Sequence, residues 1–326
     1  MASTSGTSSS YLNLLTALRT FLTTDATLVS LSENWTQLKD TSSEVDHPTE
    51  TTPERHLYMQ GPGLSGTDQV HVNIRAYRDP SNLTYFNWEL RGAVGFSASD
   101  AFNDQPGVSP RETTGGLGGP RLTLIDGNMN YWFFANGRRF IVVVDVNGTW
   151  STMYGGFYLP YATPSELQYP FYVGGNSAIE TQVPTTGDSS LSSFWDPVGE
   201  LDVPGINSAY LRDFGGSWRA VSNFTASNGN VRQDTNIWPF NFLRADDANN
   251  DISIQSPGNV SVPLPCVIHS SLGGGNVYGE LDGVFWVSGS GRSPTDTLTI
   301  GGDTYLIVRS AHRQNPTYDY VAIKLG

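Results

Sequence analysis

The chain has 326 residues, a formal net charge of −13, 35 glycines and 19 prolines, and only 38% hydrophobic residues. That acidity argues against a duplex-binding protein, which needs a basic face to neutralise phosphates. The Gly and Pro excess argues against a helix bundle or a coiled coil. Aromatic side chains, at 12%, supply the area that a core needs.

One cysteine, Cys266, excludes an internal disulfide and a Cys-based zinc site. No run of about 18 apolar residues occurs, so no membrane span is expected. The polar start MASTSGTSSS lacks the pattern of a secretory signal, which leads to the expectation of assembly in a cytoplasm. Only Lys39 and Lys324 are lysines; every other basic residue is arginine, which suits bidentate pairs at protein contacts.

Residues 1–10 read as a flexible Ser/Thr arm. Tyr11, Leu14, Leu15, Leu18, Phe21 and Leu22 then fall on one helical stripe, with Ser8 to Ser10 as N-cap hydroxyls. Asp25 caps a second short turn through Leu28 and Leu31, and the helical segment closes at 39. The acidic stretch 40–54 reads as a linker.

A β core is expected over 55–158. Val70, Val72, Ile74 and Ala76 alternate to one side, leaving the other side wet. Runs at 85–90 and 93–96 continue the sheet. Asn136-Gly137 and Asn147-Gly148 between strand-like runs are hairpin signals. Residues 159–265, punctuated by ten prolines including Pro160, Pro239 and Pro265, read as a loop-rich aromatic insertion. Strands over 266–326, with a hairpin about Gly301-Gly302, are expected to complete the core. The fold class is therefore mainly β, in antiparallel sandwich- or barrel-like sheets, with one N-terminal amphipathic helix and long irregular loops.

Chemical motifs are sparse. No G-x-S-x-G elbow, phosphate loop, H-x-H or H-E-x-x-H occurs. A Ser-His-Asp site would have to assemble in space from His56, His71, His269 or His312. The acidic loop Asp246, Asp247, Asn249, Asn250 and Asp251 lacks the glycine and glutamate of an EF-hand. Glu280 and Asp282 alternate on one strand; a structural pair contacting arginines explains them better than a glycosidase pair. Gly279 and Gly283 beside them admit close backbone approach. No catalytic residue, cofactor or metal is predicted. The Asn-X-Ser/Thr sequons at Asn34, Asn82, Asn147, Asn223 and Asn259 read as chance matches.

Several segments together resemble structural proteins of tailed-phage virions. They are Trp35-x-x-Leu38; the 57–69 run containing Gly61-Pro62-Gly63-Leu64-Ser65-Gly66 and the strand after it; and 85–96 with Trp88 and Gly95-Phe96. Gln105-Pro106-Gly107, Tyr131-Trp132-Phe133, Gly156-Phe157-Tyr158-Leu159-Pro160-Tyr161 with Pro164, and the closing 279–289 and 320–325 strands belong to the same resemblance. It covers most of the chain from Trp35 onward and is a scaffold signature. It implies a non-enzymatic, multi-copy component of a phage neck, collar or tail.

The expected partners are copies of the chain itself and neck, tail-tube, sheath or portal-adaptor components, with no sequence-specific nucleic acid and no membrane. The expected location is the virion, assembled in the host cytoplasm. Leu14, Leu18, Phe21, Gly61, Gly63, Gly66, Arg75, Arg78, Trp195, Trp218 and Trp238 are the expected subunit-interface residues. The alternative is a baseplate or tail-fibre-type protein that binds host-surface glycans through exposed Trp and Tyr. A third reading is a carbohydrate-active enzyme using Glu280 and Asp282.

Overall fold

In a computed structural model, the described residues are 1–44, 54–64, 69–78, 86–110, 119–176, 193–194, 208–221, 235–239, 262–270, 275–289, 291–309 and 320–326. In chain order they form β1 (Ala2–Ser8), α1 (Tyr11–Thr24), α2 (Ala26–Ser30), β2 (Thr36–Glu44), β3 (Glu54–Gly61), β4 (Val70–Arg78), β5 (Phe86–Ala93) and β6 (Arg121–Leu124). The central part adds β7 (Met129–Ala135), β8 (Arg139–Val146), β9 (Thr149–Phe157), β10 (Leu159–Pro160), β11 (Phe171–Gly175), β12 (Ala209–Arg212) and β13 (Trp218–Ala220). The chain ends with β14 (Thr235–Trp238), β15 (Leu264–Ser270), β16 (Asn276–Trp286), β17 (Thr297–Ile300), β18 (Asp303–Arg309) and β19 (Tyr320–Lys324). The protein is mainly β and antiparallel, as the sequence implies.

Three sheets stack. The N-terminal sheet runs β2-β3-β4-β5-β6, the central sheet β1-β7-β8-β9-β11-β12-β13, and the C-terminal sheet β14-β15-β16-β19-β18-β17 with β10 on β16. Leu57, Ile74, Leu90 and Leu122 of the first sheet meet Phe133, Val142, Met153 and Val173 of the second in one core, which α1 plugs with Leu14, Leu15, Leu18 and Leu22. The opposite face of the central sheet, with Phe134, Ile141, Val143 and Tyr154, meets Ile268, Leu281, Val284, Val308 and Ile323 in a second core. A sheet buried on both faces needs apolar residues at every position. That is why β8 reads Phe140-Ile141-Val142-Val143-Val144 without alternation.

Local signals behave as chemistry dictates. Ser10 Oγ accepts from Asn13 N at 3.1 Å to start α1, and Asp25 Oδ1 accepts from Thr27 N at 2.9 Å to start α2. At Asn147-Gly148 both residues have positive φ, 53° and 87°, the type I′ turn that suits a two-residue hairpin. The β7–β8 turn closes differently. The Asn136 side-chain oxygen accepts from Arg138 N and Arg139 N at 2.9 and 3.1 Å.

Several expectations need correction. Ala2–Ser8 is no flexible arm; it pairs along its whole length with β7. The backbone geometry of a Ser/Thr run is compatible with a strand, and the β7 edge along Met129–Ala135 supplies its partner. The 40–54 linker begins inside β2, which extends to Glu44. From Phe86 on, the run at 85–90 belongs to β5, which extends through Ala93, while 94–96 lie past the strand's end rather than in a strand of their own. The 159–265 stretch contributes β11 to β13 to the central sheet, and β14 with the start of β15 to the C-terminal sheet. The 266–326 strands form a layer of their own, and its inner face shares the second core with β7 to β9 of the 55–158 region.

Candidate functional site

The outer face of the N-terminal sheet, the side of β4 read as wet, is buried and charged. Strand register places His56 opposite Arg75, Arg75 opposite Glu89, and Glu89 opposite Arg121, one row across four strands. The neighbouring row is Tyr58, Asn73 and Arg91. Arg75, Arg91, Arg121, Glu54, Glu89 and His56 expose 1% or less of their surface.

Glu89 is the hub. Arg75 Nη2 donates to Oε2, Arg91 Nη2 donates to Oε1 at 2.5 Å, Gly119 N donates to Oε1 at 3.3 Å, and Arg121 Nη2 lies 3.7 Å away. Glu54 Oε2 lies 2.8 Å from His56 Nε2 and 3.5 Å from Arg75 Nη1. Burial by itself raises the Glu89 carboxyl. The Arg75, Arg91 and Arg121 guanidiniums outweigh it and hold that carboxyl well below the usual carboxylate range. A carboxylate held that far down is a poor proton acceptor at neutral pH.

The segment 94–110 roofs this lattice. Phe102 packs 5.3 Å from the His56 ring, Phe96 lies 5.5 Å from Tyr58, and the Arg75 guanidinium lies over both Tyr77 and Phe102. Arg91 Nη1 donates to the Ser109 and Pro110 carbonyls. Gln105 ties the roof to itself, donating to Ser97 O at 3.0 Å and accepting from Ser97 N at 2.9 Å.

A second polar knot joins the layers. Asp282 on β16 accepts from Asn136 Nδ2 at 2.7 Å and Arg138 Nη2 at 3.0 Å, with Arg139 Nε at 3.7 Å. Its backbone N–H donates to the Tyr154 hydroxyl at 3.3 Å, which donates to Phe157 O. Trp35 Nε1 donates to Asn136 O at 2.8 Å, which brings in the chain just before β2. Burial again works against the charge, and Arg139 and Arg138 with Asn136 still hold the Asp282 carboxyl below its ordinary value. Gly283 has φ of 74°, and a Cβ there would run into the Arg139 guanidinium. The expected Asp282–arginine pairing is therefore present, inside one chain. Glu280 has a different partner, the Tyr161 hydroxyl at 3.0 Å.

The predicted interface residues scatter. Leu14, Leu18 and Phe21 are buried in the first core, and Arg75 lies in the charged lattice, so none of the four faces a neighbour. Their helical period and charge do not reveal that this chain covers them itself. Gly61 is buried beside Trp35, and Gly63 N donates to Gly137 O. Arg78 is half-buried over Phe86. Trp218 is half-buried, donates to Gly107 O at 3.0 Å and packs against Phe171. Trp238 is half-buried and pairs with Val267. Gly66, Trp195, His312 and the 246–251 loop lie outside the described residues. Sequence reasoning missed Tyr161 and Phe214, which are 58% and 40% exposed; Phe214 stacks on Tyr278 at 5.1 Å.

Among the described residues, no group of three His, Cys, Asp or Glu side chains is placed to hold a metal ion, and no helix is long and apolar enough to cross a membrane. The architecture defines a class, a three-layer antiparallel β protein braced by buried ion pairs. No family model and no curated protein matches the chain.

Proposed function

We propose that the chain is a non-enzymatic structural protein of a tailed-phage virion, present in many copies in the neck, collar or tail and joining neighbouring components. The reading starts from the sequence resemblance. The observation that carries it physically is the use of charge. Glu89 and Asp282, two buried carboxylates held below their ordinary values, are each held by two or more arginines that brace strands or layers. Such bracing suits a scaffold that must keep its shape while its edges and loops meet neighbours. The test is quantitative mass spectrometry of purified virions of the phage that encodes the sequence, with antibody labelling by electron microscopy. A fixed multiple of copies per particle at the neck or tail is expected. Absence from the particle refutes the reading.

A baseplate or fibre-type role in glycan recognition is the second reading. Tyr161 and Phe214 favour it, since both rings are exposed, Tyr161 beside the Glu280 carboxylate and Phe214 stacked on Tyr278, which offers stacking surface and a hydrogen-bond acceptor. Binding on a glycan array that Phe214→Ala abolishes would move the assignment there.

A further inference from the structure

Open sheet edges template pairing with other chains, and proteins usually guard them. Here β2 carries Lys39 and Asp40 with register shifts on either side. β6 is capped where Thr123 N donates to Asn176 Oδ1. β13 is three residues long and carries the exposed Arg219. β14 bridges to Val221 and is followed by Pro239. β1 is uncharged, but its exposed side chains are Ser3, Ser5 and Thr7, which water satisfies equally well.

β17 differs from all of these. Its sequence Thr-Leu-Thr-Ile has no charge and no proline, and among the described residues it has β18 on one side and nothing on the other. Ile300 is 38% exposed and Leu298 is half-buried.

The hairpin fixes which backbone groups point outward. Ile300 and Asp303 flank Gly301 and Gly302, whose φ values of 62° and 91° make a two-residue type I′ loop. In such a hairpin the closing pair is hydrogen-bonded and the pairs alternate. Leu298 and Ile300 therefore bond inward to β18. Thr297 and Thr299 direct their N–H and C=O groups to the open edge.

We propose that β17 pairs antiparallel with β17 of a second copy of this chain, about a two-fold axis through Thr299. In this register the two Thr299 residues exchange backbone hydrogen bonds. Leu298 and Ile300 of opposite copies face each other twice in non-hydrogen-bonded pairs, where side chains approach closest. Centring the axis on Leu298 instead sets Asp296 opposite Ile300, a poorer match. A four-residue edge buries little area, so the contact is weak alone and gains strength when other contacts hold copies together. The inference does not rest on the virion reading; either can fail without the other.

Thr299→Cys tests it. Cys266, the other thiol, is buried. Cα atoms of a hydrogen-bonded antiparallel pair lie about 5.5 Å apart, within disulfide reach. Mild oxidation of concentrated protein is expected to give covalent dimer several-fold faster than Val29→Cys, an exposed control on α2, and Ile300→Lys added to Thr299→Cys is expected to slow it several-fold. Equal rates for the two cysteine variants, or no effect of Ile300→Lys, overturns the proposal. Thr299→Pro provides an independent check, because it removes only the outward N–H and leaves the hairpin ladder intact. Sedimentation of concentrated protein is expected to lose its association with an unchanged circular dichroism spectrum. Association that survives Thr299→Pro also overturns the proposal.

Discussion

Arg75 and Glu89 stand directly opposite each other on β4 and β5, both fully buried, with a guanidinium-to-carboxylate hydrogen bond between them. Two further guanidiniums, Arg91 and Arg121, depend on the same carboxylate. Removing one partner of a buried ion pair typically costs about 3–5 kcal/mol, because the remaining charge stays buried without compensation. Glu89→Gln is therefore expected to lower the melting temperature by several degrees or more, and Arg19→Gln much less, because the Arg19–Asp40 pair is only part-buried and Asp40 keeps Arg55. Equal effects in differential scanning calorimetry would contradict the account.

The same groups set the response to acid. Glu89 and Asp282 lose protons more readily in the folded state than when unfolded; for each, burial opposes this and nearby arginines prevail. At Asp40 the hydrogen bond from Arg55 is the leading cause of the same shift. Carboxyls lowered by folding contribute stability that is complete above their unfolded pKa values, about 4 to 4.5, and is lost as pH falls through the folded values. Thermal stability is expected to be flat in these groups near neutrality and to fall steeply below about pH 4. Glu89→Gln should flatten that acid slope. A slope unchanged by the variant would show that Glu89 is not the linked group.

Cys266 lies fully buried in the second core, and burial pushes its thiol far above the ordinary range. It is expected to resist maleimide at neutral pH and to react stoichiometrically once denaturant unfolds the chain. Rapid labelling of native protein would mean that the C-terminal sheet opens from the central one.

Residues 2–8 offer a local test of the central sheet. Seven residue pairs link β1 to β7. Amides in this segment that bond to β7 are expected to show slow hydrogen exchange, comparable with β7 itself. Exchange within the dead time would restore the flexible arm.

Much of the fold is legible in the sequence. The stripe from Tyr11 to Leu22 specifies α1, and the Asn-Gly and Gly-Gly turns specify their hairpins, because these signals are local. The layers are not local. β4 alternates Val70, Val72, Ile74 against His71, Asn73, Arg75, and alternation alone does not say whether water or another layer covers the polar side. The available clue was arginine in place of lysine, since a planar, weakly hydrated guanidinium tolerates burial in pairs. That clue points inward here. Arg75, Arg91, Arg121 and Arg139 are all fully buried. The Ser/Thr start carried no period that separates a strand from an arm, and its pairing with β7 decided the outcome.

The most direct test of the multi-copy reading is the mass of the purified chain by light scattering over a wide concentration range. The account predicts a defined multimer, or a mass that rises with concentration toward one. A mass fixed at the 35.4 kDa of a single chain at every concentration, and unchanged by virion proteins, would contradict it.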